Sequence, residues 1–421
     1  MKEGGPSVAA KAMAEALVGL GVQVTVATTG SLETTRLQDH ETTDHGPEVK
    51  DQRSEVTECG AVSTGSGLPA PCSMLPAQYR VICFRREFEP YKVSFGLTRW
   101  LRKNIAGFDL VHIHALFSFS STMAARIARQ HSVPYVVRPL GVLNRWGMEN
   151  RRPILKRVSF RLVELPILLN SAAIHYTSNA ERAEAASLDP HLAEHRSATI
   201  SLPIERAEPG DAEVFRARYP AVKKHRVILF LSRIHPMKGI ELLLDAFAMV
   251  REKNKDVALV IAGDGEKAYE RELKESARSR EHGAGRVGSE QEQDDVIWTG
   301  HLSGEMKAAA LAAADVFVLP SASENFGIAA AESLATGVPT IVSEEVALSS
   351  DIRQYDAGVV VKRDVQQLAG AISDLLSNRE RAAGLAANGR RLAEERYSPK
   401  AVGKALHEFY QQIIRKRDEK A

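Results

Sequence analysis

The sequence predicts an α/β protein of two doubly wound, Rossmann-like domains. A chain of 421 residues is long for one hydrophobic core and suits two domains. Short apolar runs alternate with helix-type stretches, and this alternation starts again after Pro203. Such runs are typical of strands buried on both faces of a parallel sheet. We predict domains at 1–204 and 205–400, with a ligand cleft between them and a final helix, 401–421, that packs back on the first domain.

The first half contains four predicted strands, followed in places by clear helices. The strands are "GVQVTVATT", "DLVHIHALF", "PYVVRP" and "AAIHYTS". "STMAARIARQHSV" predicts a helix, and a basic amphipathic stretch runs from Arg151 to Leu169. Ser178 and Glu181 form a Ser-x-x-Glu capping box at the start of the next helix.

The second half repeats the strand–helix order. Strands are predicted at "RVILFLS", "VALVIAG", "VIWTG", "VFVLPS", "PTIVS" and "GVVV". "GIELLLDAFAMV" predicts a helix, because its apolar residues 240, 243, 244 and 247 share one face. Residues 31–78 and 278–295 interrupt the order; both are polar, and we expect mobile surface excursions there.

The start of the chain raises a structural question. Gly4 and Gly5 form a glycine-rich loop of the kind that follows a strand and binds anions, yet no apolar strand precedes them. We expect the first, central strand of the N-terminal sheet to be missing, which leaves "VQVTVA" with an open edge. We therefore expect the natural start to lie upstream. The alternative is that another segment, from within 55–85, fills the gap.

Composition limits the class of protein. With 44% apolar and 26% charged residues the chain is typical of a soluble globular protein, and a net charge of +2 gives no argument for nucleic acid. Three cysteines without metal-ligand spacing, and no apolar run near 18 residues, favour a cytoplasmic protein. Residues 80–103 carry a net +5 and residues 138–161 a net +6. These segments are either solvated helix faces or a basic surface for an anionic acceptor or membrane head groups.

The strongest motif is "VFVLPSASENFGIAAAESLATGVPTIVS". A strand ends near Ser321, Glu324 lies in the following loop, and a helix begins near Gly327 and stops at Gly337. Glu332 then lies in the second turn of this helix. Two carboxylates beside the unpaired N–H groups of a helix start suit a ligand with vicinal hydroxyls and an anionic group. The alternative is an ordinary capped helix.

A second strand–loop–helix unit supplies cations. In "RVILFLSRIHPMKGIELLLDAF", Arg233 and Lys238 lie in the loop and Gly239 opens the helix. Two cations beside a helix N-terminus make a site for a diphosphate. A single cation there would more often be a solvated surface charge.

Three further residues lie at predicted strand ends in the first half. His112 and His114 share one face of their strand, and His114 is nearer its carboxyl end. His112 is interpreted as a buried, hydrogen-bonded histidine, whereas His114 is a candidate for contact with a sugar or an acceptor. Arg138 ends "PYVVRP" and is a weaker candidate for holding an anionic acceptor.

These residues resemble those of the GT-B glycosyltransferases of family 4, the group 1 type. The resemblance covers nearly the whole chain and is carried by Glu324-x7-Glu332, by Arg233 and Lys238, by "GGPS" and by the closing "YSPKAVGKALHEFYQQII". It implies transfer of a sugar from a nucleoside-diphosphate sugar to a glycan or lipid-linked acceptor, with retention of anomeric configuration, in surface polysaccharide or glycolipid synthesis. It also implies a cytoplasmic enzyme, possible contact with the inner face of the membrane through the basic N-terminal surface, and no nucleic acid partner.

The resemblance also assigns roles to residues. Arg233 and Lys238 would hold the diphosphate, Glu332 the ribose hydroxyls, and Gly4 with Gly5 would reach the phosphates from the other domain. The remaining donor contacts would be Glu324, Phe326, Gly327 and Ile328 at the sugar, and Gly300 and His301 of the "TGHL" turn at the base. The catalytic set is then Arg233, Lys238, Glu324 and His114. No Asp-x-Asp occurs in the chain, so we expect metal-independent transfer without a cofactor.

Two departures from the family pattern concern other positions. "SEEVALSSD" stands where many relatives have a glycine pair, and "SLPIER" where they often have Asn-Gly. The alternatives are a nucleotide-sugar epimerase, which has a similar donor site, and a non-catalytic nucleotide-sugar-binding protein with a degenerate N-terminal domain.

Overall fold

The structure is a computed structural model that describes residues 5–30, 79–89, 91–144, 148, 153–205, 210–282 and 295–419. These residues divide into two compact units. The first takes residues up to Tyr176, residues 182–200 and the C-terminal residues from Val402; the second takes 177–181 and 201–401. The boundaries between the two units fall at 200/201 and 401/402, whereas the sequence predicted domain boundaries at 204/205 and 400/401.

The first unit contains six strands among its described residues. They are β1 (Thr25–Gly30), β2 (Arg80–Arg85), β3 (Val111–His114), β4 (Tyr135–Arg138), β5 (Ala173–Tyr176) and β6 (Ser197–Thr199). Its helices are α1 (Gly5–Val18), α2 (Phe95–Asn104), α3 (Phe119–Gln130), α4 (Pro153–Ser159), α5 (Leu165–Leu169), α6 (Asn179–Leu188) and α7 (His191–Glu194), with α16 (Pro399–Asp418) at the end of the chain.

The strands of the first unit form two parallel sheets. β1 pairs with β2, and the second sheet has the order β3-β4-β5-β6. Within the described residues, no strand pairs with the other edge of β1 or with the outer edge of β3. β2 lies within the segment 55–85 that was considered as the alternative, and it pairs with β1. That the first strand is missing therefore stays a prediction. The Ser178 half of the capping box is confirmed, since the Glu181 N–H donates to Ser178 Oγ at 3.1 Å, while the Glu181 carboxylate accepts the Thr177 N–H at 2.7 Å.

The core of the first unit depends on the last helix of the chain. Val402, Leu406 and Phe409 of α16 are buried against Met13 of α1 and Val136 of β4. Gly403 is required at this contact, because a Cβ there would lie 2.8 Å from the backbone oxygen of Ala16. The closing segment of the sequence is thus part of the N-terminal core.

The second unit is a single six-stranded parallel sheet with helices between its strands. The strands are β7 (Arg226–Leu231), β8 (Val257–Ala262), β9 (Val296–Gly300), β10 (Val316–Leu319), β11 (Thr340–Ser343) and β12 (Val359–Val361). The helices are α8 (Ala212–Arg218), α9 (Ile240–Lys253), α10 (Lys267–His282), α11 (Gly304–Ala313), α12 (Ile328–Thr336), α13 (Ser349–Tyr355), α14 (Val365–Ser377) and α15 (Arg379–Leu392).

The strand order of this sheet, β12-β11-β10-β7-β8-β9, fixes where its loops meet. β7 and β10 are neighbours, with Ile228 aligned to Val316, although 84 residues of sequence lie between the end of β7 and the start of β10. All residues of β8, β10 and β11 are buried, as expected for strands covered on both faces. The loops that follow β7 and β10 therefore emerge side by side at the carboxyl edge.

One predicted excursion begins later than expected. Residues 278–282 are not loop but the last turn of α10, and Arg280 fixes that turn by donating from Nε to Asp245 Oδ1 at 2.6 Å. Residues 31–78, and 283–294 of the second excursion, lie outside the described residues.

Candidate functional site

The loops after β7 and β10 contact each other through their backbones. The Ala322 N–H donates to the Met237 carbonyl at 2.7 Å. Gly239, which opens α9, has a φ of +68°, and a Cβ there would lie 2.2 Å from the Pro320 oxygen. Only glycine fits this position. The sequence thus brings the two motif loops together at the start of α9.

Lys238 and Glu324, from these two loops, form an ion pair. Lys238 Nζ donates to Glu324 Oε2. The lysine is only 7% exposed, so its ammonium group depends on this carboxylate for stabilisation. The structure therefore joins two residues that the sequence assigned to separate parts of a donor.

The start of α12 is shaped for close approach. Gly327 has a φ of +88°, and Ile328 is the first helical residue, so the N–H groups of this first turn have no partner within the helix. Phe326 is buried, with its ring edge-on to Tyr397 at 5.4 Å between centroids. The helix start thus combines a fixed aromatic anchor with free N–H donors.

The stretch Glu344–Ala347, where relatives carry glycines, supports this loop through its backbone. The Ala347 N–H donates to the Glu324 carbonyl at 3.0 Å, and the Glu324 N–H donates to the Glu345 carbonyl at 3.2 Å. These contacts use main-chain atoms, so the absence of the glycine pair leaves the Glu324 loop anchored.

Glu332 forms a second ion pair, which the sequence reasoning missed. Lys307 of α11 donates from Nζ to Glu332 Oε1 at 2.6 Å, and both side chains are mostly buried. Lys307 is the single cation in the otherwise Ala-rich helix "GEMKAAALAA", which was the available signal. Lys307 thereby orients the Glu332 carboxylate in the second turn of α12.

Arg233, Gly300 and His301 lie on adjacent loops linked by Asp264. Arg233 is exposed and has no ion pair with any described residue. Asp264 Oδ1 accepts the His301 N–H at 3.1 Å, and its carbonyl accepts the Ile234 N–H at 2.9 Å. Asp264 was not singled out from the sequence; its position in "AGDGE", at the end of β8, was the signal.

In the first unit, His112 and His114 share a face of β3 as predicted, with ring centroids 4.5 Å apart. His175 Nε2 donates to the Ile200 carbonyl at 2.8 Å, so its Nδ1 accepts from His112 Nε2 at 3.3 Å. His112 Nδ1 then accepts the Tyr410 hydroxyl at 2.6 Å. His114 Nδ1 is buried without a partner among the described residues.

All three histidines are neutral. Burial lowers the pKa of His112 and of His114 well below 6.5, and lowers the pKa of His175 to about 3. The charge of Arg138 acts in the same direction on each. A neutral His114 can either donate or accept one hydrogen bond at its vacant nitrogen.

Arg138 and Gly5 lie in surroundings other than those predicted from the sequence. Arg138 is 1% exposed and donates from Nη1 to Met13 Sδ at 3.2 Å, because α1 covers the end of β4. It is not the open strand-end cation that acceptor binding would use, and that role remains a prediction. Gly5 is the first residue of α1, and Gly4 lies outside the described residues.

Two family models match the chain in succession. "Glycosyl transferase 4-like domain" matches residues 4–196, and "Glycosyl transferases group 1" matches residues 211–392. Among curated proteins, the chain is 36% identical over 191 residues to the alpha-monoglucosyldiacylglycerol synthase of Streptococcus pneumoniae, a match covering 45% of this chain and 39% of that protein. It is 26% identical over 336 residues to the uncharacterized glycosyltransferase YqgM of Bacillus subtilis, covering 78% and 85%.

Solved structures share the architecture at low identity. The sucrose-phosphate synthase of Thermosynechococcus elongatus is similar with a TM-score of 0.67 at 20% identity, covering 97% of this chain and 94% of that one. Anabaena HepE, solved in complex with UDP and glucose, gives a TM-score of 0.67 at 15% identity, covering 98% of each chain. With its two α/β units and the consecutive family matches, the chain belongs to the group 1 glycosyltransferases and has the GT-B fold.

Proposed function

We propose that this protein transfers a hexosyl group from a nucleoside-diphosphate sugar to an acceptor hydroxyl, with retention and without a metal ion. Two ion pairs carry the proposal. Lys238–Glu324 joins the loops after β7 and β10, and Lys307–Glu332 joins α11 to the second turn of α12. HepE supports the donor class, since it was solved with UDP and glucose. A Mycobacterium tuberculosis relative, 31% identical over 193 residues and 47% covered, is named as a GDP-mannose-dependent mannosyltransferase.

The donor lies along the carboxyl edge of the second sheet. Arg233 and Lys238 bind the diphosphate, Lys238 by exchanging part of its contact with Glu324 for phosphate oxygens. The Glu324 carboxylate then accepts hydrogen bonds from the sugar hydroxyls. The backbone N–H groups of Phe326–Ile328 donate hydrogen bonds to the oxygens of those hydroxyls. Glu332, oriented by Lys307, accepts from the ribose hydroxyls, and the base lies against Gly300 and His301. Gly4 and Gly5 are proposed to approach the phosphates.

The chemistry follows from where charge develops. As the bond from the anomeric carbon to the diphosphate breaks, negative charge grows on the leaving oxygen beside the Arg233 and Lys238 cations, which are already in place. The acceptor oxygen bonds to the same carbon from the same face, as retention requires. Its proton leaves to the departing phosphate oxygen, which is the nearest base on that face. Two side-chain cations thus supply the charge stabilisation that a metal ion supplies in other transferases.

The first unit is proposed to hold the acceptor, a glycan or a lipid-linked sugar, in surface polysaccharide or glycolipid synthesis at the cytoplasmic face of the membrane. His114 is the side chain that supports this role. Its vacant, buried Nδ1 requires a hydroxyl partner, because an unpaired buried polar atom costs about 1–3 kcal/mol.

A panel of UDP- and GDP-hexoses, followed by mass spectrometry and NMR of the products, tests the proposal. We expect a new glycoside with the anomeric configuration of the donor. An altered free sugar nucleotide would instead show an epimerase. Tight donor binding with neither transfer nor hydrolysis would show a binding protein.

A further inference from the structure

One helical segment of the first unit presents apolar side chains to solvent. It comprises α4, a π turn (Phe160–Glu164) and α5, and we refer to residues 153–169 as the exposed apolar helix. Ile154 is 78% exposed, Leu155 59%, Val158 49% and Leu162 72%. These fractions are high for large apolar side chains grouped in one helix, which marks an interaction surface rather than scattered surface residues.

The exposed side chains form a stripe. Ile154, Val158 and Leu162 follow one another at intervals of four residues, and Leu155 is seven residues from Leu162. Both spacings place side chains on one side of a helix. The opposite side is held by the core, where Phe160, Ile167 and Leu168 are buried. The helix is therefore fixed on the unit with its apolar stripe outward.

Charge on this surface has one sign. Glu164 is the single acidic residue between 153 and 169, and it is fully buried, with burial raising the pKa of its carboxyl. Arg157 and Arg161 are exposed beside the stripe. The face that meets solvent thus carries apolar groups and cations without an exposed carboxylate from this helix.

A neighbouring groove extends the pattern. Arg126 and Arg129 of α3 are exposed and line, together with Leu162 and Pro166, an open groove of about 280 Å³. Neither these two nor Arg157 and Arg161 form an ion pair with a described residue. Four guanidinium groups that make no close ion pair thus flank one apolar stripe, where phosphate groups would satisfy them; the charge of Arg161 also acts on Asp189.

We infer that the exposed apolar helix and this groove dock on the surface of an anionic phospholipid bilayer. The apolar stripe enters the head-group boundary and the four arginines contact lipid phosphates, which is the arrangement of an interfacial amphipathic helix. Within the described residues no helix has both the length and the apolar character needed to cross a bilayer.

A second copy of the chain fits this surface less well than a bilayer does. In a symmetric dimer the same patch faces itself, so Arg157, Arg161 and their neighbours would oppose each other without carboxylates between them. An anionic bilayer offers the opposite charge and an apolar interior together. The docking does not depend on the transfer reaction; it rests on the proposed function only in supplying a lipid-linked acceptor at the bilayer.

The test is flotation of the full chain with vesicles of phosphatidylcholine alone, or with roughly one third phosphatidylglycerol, at low and high salt. We expect binding to the anionic vesicles that weakens with salt. The double variant I154E/L162E should lower the partition coefficient roughly tenfold or more, because two anchors are lost and two anions are added. R157Q/R161Q should lower it about fivefold for each cation removed.

The matched control is Leu20→Glu, which adds an anion at an exposed leucine of the first unit outside this surface. It should bind vesicles as the wild type does, and circular dichroism should show all variants folded. Equal vesicle binding by I154E/L162E and wild type, or equal binding to neutral and anionic vesicles, would overturn the inference. The inference would also be overturned if the wild type were a dimer that does not bind vesicles and the I154E/L162E variant were a monomer.

Loss of vesicle binding and failure of the proposed function give different results. A protein that transfers sugar to a soluble acceptor but does not float refutes the docking and leaves the transferase intact. A protein that floats but neither binds nor turns over any nucleotide sugar refutes the proposed function and leaves the docking intact.

Discussion

The two units keep their polar side chains in opposite electrostatic states. In the second unit the polar groups are charged pairs at helix starts, Lys238 with Glu324 and Lys307 with Glu332. In the first unit they are neutral imidazoles in a relay from Tyr410 through His112 to His175, beside the buried Arg138. A charged site can stabilise charge that develops in a reaction, whereas a neutral one can orient hydroxyl groups without competing for the same charge. This difference agrees with the donor role proposed for the second unit and the acceptor role proposed for the first.

The largest expected effect is on turnover, from the second unit. Arg233→Ala and Lys238→Ala should each lower kcat about 30- to 10³-fold, since each cation is proposed to contribute about 2–4 kcal/mol to the transition state. Initial-rate measurements with the best donor of the panel check this. Lys253→Ala, at the far end of α9, is the control and should leave kcat unchanged.

The loss of turnover is informative only if the variants remain folded, which thermal unfolding measures. Arg233 is exposed and unpaired among the described residues, so its variant should unfold at the wild-type temperature. Wild-type turnover in either variant would show that the cations do not contact the diphosphate.

The next largest effect is on donor affinity. Glu332→Gln should weaken nucleoside-diphosphate-sugar binding roughly tenfold or more, because hydrogen bonds to a charged group contribute about 1.5–3 kcal/mol. Lys307→Met should weaken donor binding less, since Lys307 acts through Glu332. The double variant should bind the donor with the same affinity as Glu332→Gln alone. Calorimetric titration measures all three, with Glu305→Gln on the same helix as control. Additive effects in the double variant would mean that Lys307 contacts the donor itself.

A third effect distinguishes the first unit by its pH dependence. His112, His114 and His175 have native pKa values below the unfolded value of 6.5, so the unfolded chain binds more protons as the pH falls. Their contribution to stability is complete above about pH 6.5 and decreases below it, by about 1.4 kcal/mol per pH unit for each fully neutral histidine.

Thermal unfolding between pH 7.5 and 5 checks this dependence. Replacing His175 with Gln should reduce the slope, whereas replacing the exposed His131 should not. A stability that does not fall between those pH values would contradict the neutral relay.

The smallest expected effect is that of chelation. If Arg233 and Lys238 supply the positive charge, EDTA should leave the transfer rate unchanged. Loss of activity with EDTA that Mg²⁺ or Mn²⁺ restores would show that the two cations are insufficient.

The sequence predicted the second unit more completely than the first. Its strands are continuous apolar runs, and Glu324, Lys238 and Gly239 stand at strand–helix junctions that parallel topology places on one edge. Lys307 and Asp264 were missed because their partners are 25 and 37 residues away, and no local pattern encodes those contacts. In the first unit, the burial of Arg138 depends on α1 covering β4, and Tyr410 reaches His112 across 298 residues.

The most direct test of the account is calorimetric titration of nucleoside diphosphates, without sugar, into the wild type, Arg233→Ala, Lys238→Ala and His114→Ala. If the second unit binds the diphosphate through its cations and His114 serves the acceptor, the first two variants should bind at least about tenfold more weakly and His114→Ala should bind as the wild type does. Unchanged affinity in Arg233→Ala and Lys238→Ala, with loss in His114→Ala, would contradict the division of roles between the two units.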